Sequence, residues 1–216
     1  MKNFDGVIFD VDGTLTSTNE LIYATFRHIT NKYLNKNYSN EEIYSMFGPT
    51  EDGILKDICG ENYENARSDY YDFYTKNHHM ADIYPGIDDI LKMLKERGIK
   101  LSVYTGKGST AAAITLKKLG IYDYFDMVVT GDDIKGHKPS PEGVDVFVNK
   151  YNLDRNRVLI IGDAIADIKA ALNSGIKSAS VVWDSYAKEK VLAFGSDYVF
   201  HTVEELKAFL EENTRP

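Results

Sequence analysis

The sequence predicts an α/β fold: a Rossmann-like parallel sheet core flanked by helices, carrying an inserted all-α helical cap domain. Three observations predict it. From about Tyr84 onward, short β-rich runs alternate with amphipathic helical stretches. Gly98, Gly120 and Gly175 each follow a periodic stretch, where a left-handed helix end is expected. Residues 16 to about 83 carry helical periodicity and few β-branched runs.

The apolar run at 6–10 is the first strand. Helical spacing then covers 20–34, 40–47, 51–58 and 62–78, and Pro85-Gly86 marks the turn that ends the insert. Beyond it, strands are expected at 100–105, 127–130, 158–161, 179–183 and 198–200. Helices are expected near 87–97, 109–119, 140–151, 165–174, 185–194 and 203–213. The expected division is a core of 1–15 and 84–216 with a helical unit of 16–83.

Composition excludes several classes. The 216 residues include 25 Lys and Arg against 33 Asp and Glu, a formal charge of −8 and a pI near 5.1. Clustered Lys and Arg, which hold nucleic acid backbones, are missing, so no nucleic acid partner is expected. Hydrophobic residues make up 43%, enough for a packed core. No apolar run approaches the roughly 20 residues of a membrane span. Cys59 is the single cysteine, so neither an internal disulfide nor a zinc cluster is expected. No signal or transit peptide is read at the N-terminus, and the expected location is cytoplasmic.

Four motifs carry chemistry. Asp10-Val11-Asp12-Gly13-Thr14 follows the first strand, and the carboxyl ends of parallel strands are where such sheets bind ligands. Gly162-Asp163-Ala164-Ile165-Ala166-Asp167 follows another apolar run, with its two aspartates four residues apart. Capping explains these two acids as well as metal binding does when they stand alone. Brought beside Asp10 and Asp12, four carboxylates call for a cation, and an oxygen-only set suits Mg²⁺. Thr105-Gly106-Lys107-Gly108 ends a further strand, where a hydroxyl and loop amides can receive phosphate oxygens. Lys138 sits between Gly136-His137 and Pro139-Ser140-Pro141, in a loop stiffened by two prolines, as a fixed cation would.

These motifs, in this order, resemble those of the haloacid dehalogenase superfamily over essentially the whole chain, with the phosphoglycolate-phosphatase-like branch and its type 1 helical cap nearest. The resemblance implies a Mg²⁺-dependent phosphatase acting through an aspartyl-phosphate. It makes Asp10 the nucleophile and Asp12 the general acid and base. It gives the metal to Asp10, the backbone carbonyl of Asp12, Asp163 and Asp167, the last as ligand or support. It assigns the phosphoryl group to Thr105, Gly106 and Lys138. It implies a small phosphorylated metabolite as partner, 2-phosphoglycolate foremost, and a monomer or homodimer. Alternatives are inorganic pyrophosphate hydrolysis, β-phosphoglucomutase-like phosphotransfer, and a non-catalytic phospholigand-binding protein. Ser17 and Gly106 depart from the family's common Asp and Asn, and 18–22 reads more like pyrophosphatase members.

The insert holds 8 of the 15 tyrosines, and Tyr23, Phe26, Tyr33, Tyr70 and Tyr74 are read chiefly as its own core. Arg27, His28 and Lys32 are candidates to meet an anionic substrate tail, with a solvated helix face the competing reading. Residues 47–50 stand where relatives carry a substrate loop. His78 and His79 are expected to be exposed, His137 to be a loop residue, and Cys59 and Trp183 to be packing residues.

Overall fold

The structure is a computed structural model that describes residues 4–214. Strand β1 (Gly6–Phe9) leads into a short β2 (Thr16–Ser17) and then helices α1 (Asn19–Leu34), α2 (Asn40–Ser45), α3 (Glu51–Cys59) and α4 (Tyr63–Lys76). The chain returns through β3 (Asp82–Ile83). It continues as α5 (Ile87–Glu96), β4 (Lys100–Tyr104), α6 (Ser109–Lys118), β5 (Met127–Val129), α7 (Glu142–Tyr151), β6 (Val158–Gly162), α8 (Ile165–Ser174), β7 (Lys177–Val181), α9 (Lys188–Phe194), β8 (Tyr198–Phe200) and α10 (Val203–Asn213).

Six strands form one parallel sheet in the order β5-β4-β1-β6-β7-β8. From β1 the order runs outward through β4 and β5, then resumes on the other side at β6. The crevice at this reversal is where open α/β sheets bind ligands. Alternation along β1 sends Val7 and Phe9 into a core with Ile87, Leu91 and Leu94 of α5 and Leu206 and Leu210 of α10. Ile8 faces the opposite layer, against Phe147 of α7 and Ala170 and Ala171 of α8. Both faces of the sheet are covered, as all-parallel sheets require.

Helices α1, α3 and α4 bury a separate core, with Leu21, Phe26, Ile29, Leu55, Tyr70 and Tyr74 at its centre. The tyrosines here are packing residues, as the helical spacing expects. The segment is not wholly helical. Thr16 and Ser17 pair antiparallel with Ile83 and Asp82, so both of its connections pass through one short ribbon. Two-residue strands leave no periodic signal.

Gly98, Gly120 and Gly175 have φ of 70°, 72° and 68°, the left-handed helix ends read from sequence. The seventh strand begins at Lys177 and ends at Val181, whereas the sequence suggests 179–183. Ser178 and Ser180 hide the strand in the hydropathy pattern, yet both are buried and pair with Ile160 and Gly162 of β6. Among the described residues, no helix is long and apolar enough to cross a membrane.

Candidate active site

Three neighbouring strands, β4, β1 and β6, end at one crevice, and each delivers a candidate residue just past its last paired position. Thr105 follows β4, Asp10 follows β1 and Asp163 follows β6. Asp10 keeps the line of its strand, its backbone N–H donating to the Ile161 carbonyl at 2.9 Å. The chain then turns sharply at Gly13, whose φ is +77°. A Cβ there would lie 2.6 Å from Asp163 Oδ2, so the turn brings β1's loop against β6's acid only with glycine.

Asp10, Asp163 and Asp167 each place a carboxylate oxygen within 4.8 Å of the others. Gly162 permits this, since a Cβ on it would meet Asp167 Cγ at 2.1 Å. Lys138 reaches into the cluster from its loop. Its Nζ donates to Asp10 Oδ1 at 2.7 Å and to Asp167 Oδ1 at 2.6 Å. The loop is pinned by Asn173 donating to the Pro139 carbonyl at 2.9 Å and by Tyr104 donating to the Ser140 carbonyl at 3.0 Å. His137, next to Lys138, points to solvent, as expected of a loop residue.

The electrostatics follow from crowding. Burial pushes the Asp10 carboxyl up to about 6; Lys138 opposes this, while Asp167 and Asp12 add to it. Asp163 is held well above the usual carboxylate range by burial, then by Asp10 and Asp167. Lys138 is held protonated despite burial because Asp10 and Asp167 face it. Three acids sharing one ammonium group are undercompensated, and the donor set is oxygen only. Those two features fit a hard divalent cation such as Mg²⁺. Asp167 already spends Oδ1 on Lys138 and Oδ2 on the Ala164 backbone N–H at 3.1 Å, which favours its support role over direct ligation.

Asp12 turns its side chain away from the cluster. Its Oδ2 lies 3.2 Å from Lys107 Nζ, and its Oδ1 accepts from the Thr18 hydroxyl. Thr105 accepts the backbone N–H of Lys107 at 3.2 Å, which leaves its hydroxyl proton able to donate toward the crevice. All seven residues singled out by sequence, Asp10, Asp12, Thr105, Gly106, Lys138, Asp163 and Asp167, line one pocket of about 320 Å³.

Two charged lining residues were missed. Lys107 is 5% exposed and Glu51 7% exposed, and they meet with Oε1 3.4 Å from Nζ. Glu51 Oε2 also accepts the Gly108 backbone N–H at 2.6 Å. Burial opposes the charge on Lys107, but Asp12, Tyr74 and Glu51 outweigh it and raise its proton affinity. Lys107 was legible as the only cation in the Thr105–Gly108 turn. Glu51 was not, because an acid in the first turn of a helix is an ordinary favourable placement.

Other expectations are corrected. Arg27 donates to Asn40 at 2.5 Å, His28 stacks on Phe73, and Lys32 pairs with Asp69; none lines the pocket. His78 is 4% exposed, tucked between Tyr74 and Thr115 by a 3-10 turn, while His79 is exposed as expected. Phe47, Gly48 and Pro49 do line the pocket, and Thr50 caps α3.

A sequence profile of the haloacid dehalogenase-like hydrolases matches residues 7–181. The chain belongs to that family. It is 34% identical over 209 residues to the pyrophosphatase PpaX of Bacillus pumilus, covering 94% of this chain and 95% of the relative. Its fold matches that of a Haemophilus somnus protein described as a predicted phosphoglycolate phosphatase, with a TM-score of 0.83 at 21% identity, covering 97% and 99% of the two chains. It also matches CbbY of Rhodobacter sphaeroides, solved with phosphate, at a TM-score of 0.82 and 19% identity over 94% and 96%. At these identities the two structures speak for the fold alone. The chain is therefore an enzyme, a phosphatase-class hydrolase of the haloacid dehalogenase-like family.

Proposed function

We propose that this hydrolase cleaves small phosphate monoesters through a covalent phosphoryl-aspartate on Asp10, with residues 16–83 acting as a cap over a core of 1–15 and 84–216. The observation that carries the reading is the meeting of Asp10, Asp163, Asp167 and Lys138 at the ends of β1 and β6. Mg²⁺, held by Asp10, Asp163 and the Asp12 carbonyl with Asp167 in support, would neutralise developing phosphoryl charge.

In the first step an Asp10 oxygen attacks phosphorus as the bond to the leaving oxygen breaks, and Asp12 gives that oxygen its proton. In the second, water attacks the same phosphorus, Asp12 takes the water's proton, and the bond to Asp10 breaks to release phosphate. Thr105, the Gly106 amide and Lys138 hold the transferring oxygens. Lys107 and Thr18 fix the Asp12 carboxylate in one orientation, which an acid and base used twice requires.

The test is p-nitrophenyl phosphate hydrolysis with Mg²⁺, with EDTA, and in Asp10→Asn. Loss of turnover in the last two is expected, the variant falling about 1,000-fold or more. EDTA-insensitive turnover contradicts the metal assignment, and an active Asp10→Asn, with deamidation excluded, contradicts the nucleophile. Hydrolysis of inorganic pyrophosphate is the second reading, favoured by the full-length similarity to a pyrophosphatase.

A further inference from the structure

We infer that the leaving group this site accepts carries no negative charge, and that Glu51 is the residue that enforces this. The inference rests on the phosphatase reading above and names the substrate class of the same pocket.

Beyond the phosphoryl-binding floor, the pocket is roofed by Ile22 and Phe26 of α1, Phe47, Ile54 of α3 and the exposed Tyr186, with Glu51 among them. Among the described residues the lining holds five carboxylates, Asp10, Asp12, Glu51, Asp163 and Asp167, against two ammonium groups, and no arginine or histidine. With Asp12 protonated, as the first step requires, four carboxylates stand against two ammonium groups and one divalent cation, so no positive charge is left over for an anionic leaving group even before a phosphoryl dianion arrives.

Both ammonium groups are already committed. Lys138 serves Asp10 and Asp167, and Lys107 serves Asp12 and Glu51. None of the insert's six cations lines the pocket: Arg27 donates to Asn40, Lys32, Arg67 and Lys76 pair with Asp69, Asp52 and Asp72, and Lys36 and Lys56 lie over the rings of Tyr38 and Tyr63. A second phosphate or a carboxylate on the leaving group would therefore be desolvated beside a buried acid with no uncommitted cation to meet it. A neutral alcohol suffers no such penalty. A cationic alcohol is favoured by the acid and by the aromatic rim, where Tyr44 and Tyr186 stand 4.2 Å apart between ring centroids.

The experiment uses three monoesters of near-equal size. 2-Phosphoglycolate, 2-hydroxyethyl phosphate and ethanolamine phosphate place a negative, a neutral and a positive group at the same distance from phosphorus; pyrophosphate is the fourth substrate. With wild-type protein and Mg²⁺, kcat/KM for the neutral and cationic esters should exceed that for phosphoglycolate and pyrophosphate by about tenfold or more, since an unpaired buried charge costs more than one factor of ten. The ratio between those two esters separates a neutral natural substrate from a cationic one. Glu51→Gln should raise phosphoglycolate relative to hydroxyethyl phosphate about fivefold or more.

Phosphoglycolate or pyrophosphate turned over as fast as hydroxyethyl phosphate in the wild type would overturn the inference and leave the phosphatase reading standing. No turnover of any ester, p-nitrophenyl phosphate included, would overturn that reading and the inference with it. The wild-type series decides even if the variant does not fold.

Discussion

Glu51 of α3 and Lys107 of the loop after β4 face each other across the seam between the helical insert and the sheet, and Lys107 carries the contact on to Asp12. The three charges form a chain from the insert to Asp12, the acid and base of the proposed mechanism. The seam thus runs beside the proposed acid and base, and the insert reaches Asp12 twice, from Glu51 through Lys107 and directly through the Thr18 hydroxyl. The Lys107 Nζ also stands 5.3 Å from the Tyr74 ring centre, so α4 contributes to the same seat.

Lys107→Met should therefore act as more than a lost surface charge. It leaves Glu51 and Asp12 facing each other with no cation between them. Breaking a buried charge set by removing one member typically costs about 3–5 kcal/mol. Urea unfolding should show a loss of that order, and the Glu51→Gln, Lys107→Met double variant should recover part of it. Strictly additive effects in the double variant would mean that the two side chains do not interact in solution.

Asp12→Asn tests both roles proposed for that residue, and the choice of ester separates them. An amide cannot protonate the leaving oxygen or take a proton from water, and general acid–base groups contribute about 10²–10⁴-fold. p-Nitrophenolate leaves without help, so the first step should survive better with that ester than with an alkyl phosphate. A pre-steady-state burst of p-nitrophenolate followed by slow turnover is expected. Equal losses in both steps for both esters would point to a positional defect instead.

How much of this was legible before the structure depends on what kind of signal each residue leaves. The strands and their acids were readable because short uninterrupted apolar runs, Val7–Phe9 and Val158–Ile161, are followed at once by Asp10 and Gly162-Asp163, and a carboxylate at a strand's end is a local pattern. Lys138 was readable because two prolines stiffen its loop. Glu51 was hidden, since its role is set by a loop more than 50 residues away in sequence and its local context is an ordinary helix start. Arg27, His28 and Lys32 misled for the converse reason: they share a helix with Phe26, which does reach the pocket, but helical rotation carries them to partners on other faces.

The acid cluster makes a prediction about metal that does not depend on turnover. Asp163 sits against Asp10 and Asp167, and a divalent cation relieves repulsion among all three. Mg²⁺ should therefore raise the melting temperature of the wild-type protein, by linkage, as it binds the folded state alone. Asp163→Asn removes a proposed ligand and part of the repulsion together. Its melting temperature without metal should match or exceed that of the wild type, and the shift with Mg²⁺ should shrink sharply. An unchanged Mg²⁺ shift in Asp163→Asn would remove that residue from the metal site.

His78 gives the fold a pH dependence on the acid side. The side chain lies under the insert's last helix, with its ring 5.6 Å from that of Tyr74 and Nε2 3.4 Å from Thr115 Oγ1 of α6, which also shares a 2.7 Å hydrogen bond with the Tyr74 hydroxyl. Burial first, then the positive charges of Lys118 and Lys107, hold its proton affinity below the ordinary value of 6.5. The unfolded chain takes up the proton as pH falls through about 6.5, while the folded chain resists until lower pH. The unfolded state thus binds more protons across that window, and stability is lost as pH falls through it. His78→Gln keeps an amide for Thr115 and removes the titration. Urea unfolding at pH 7.5, 6.5 and 5.5 should show the wild type losing stability faster toward acid than the variant, with all other carboxylates and histidines common to both and cancelling in the comparison. Parallel pH profiles would mean that His78 is protonated as readily in the folded chain as in the unfolded one, and that the seam between α4 and α6 opens enough to admit the charge.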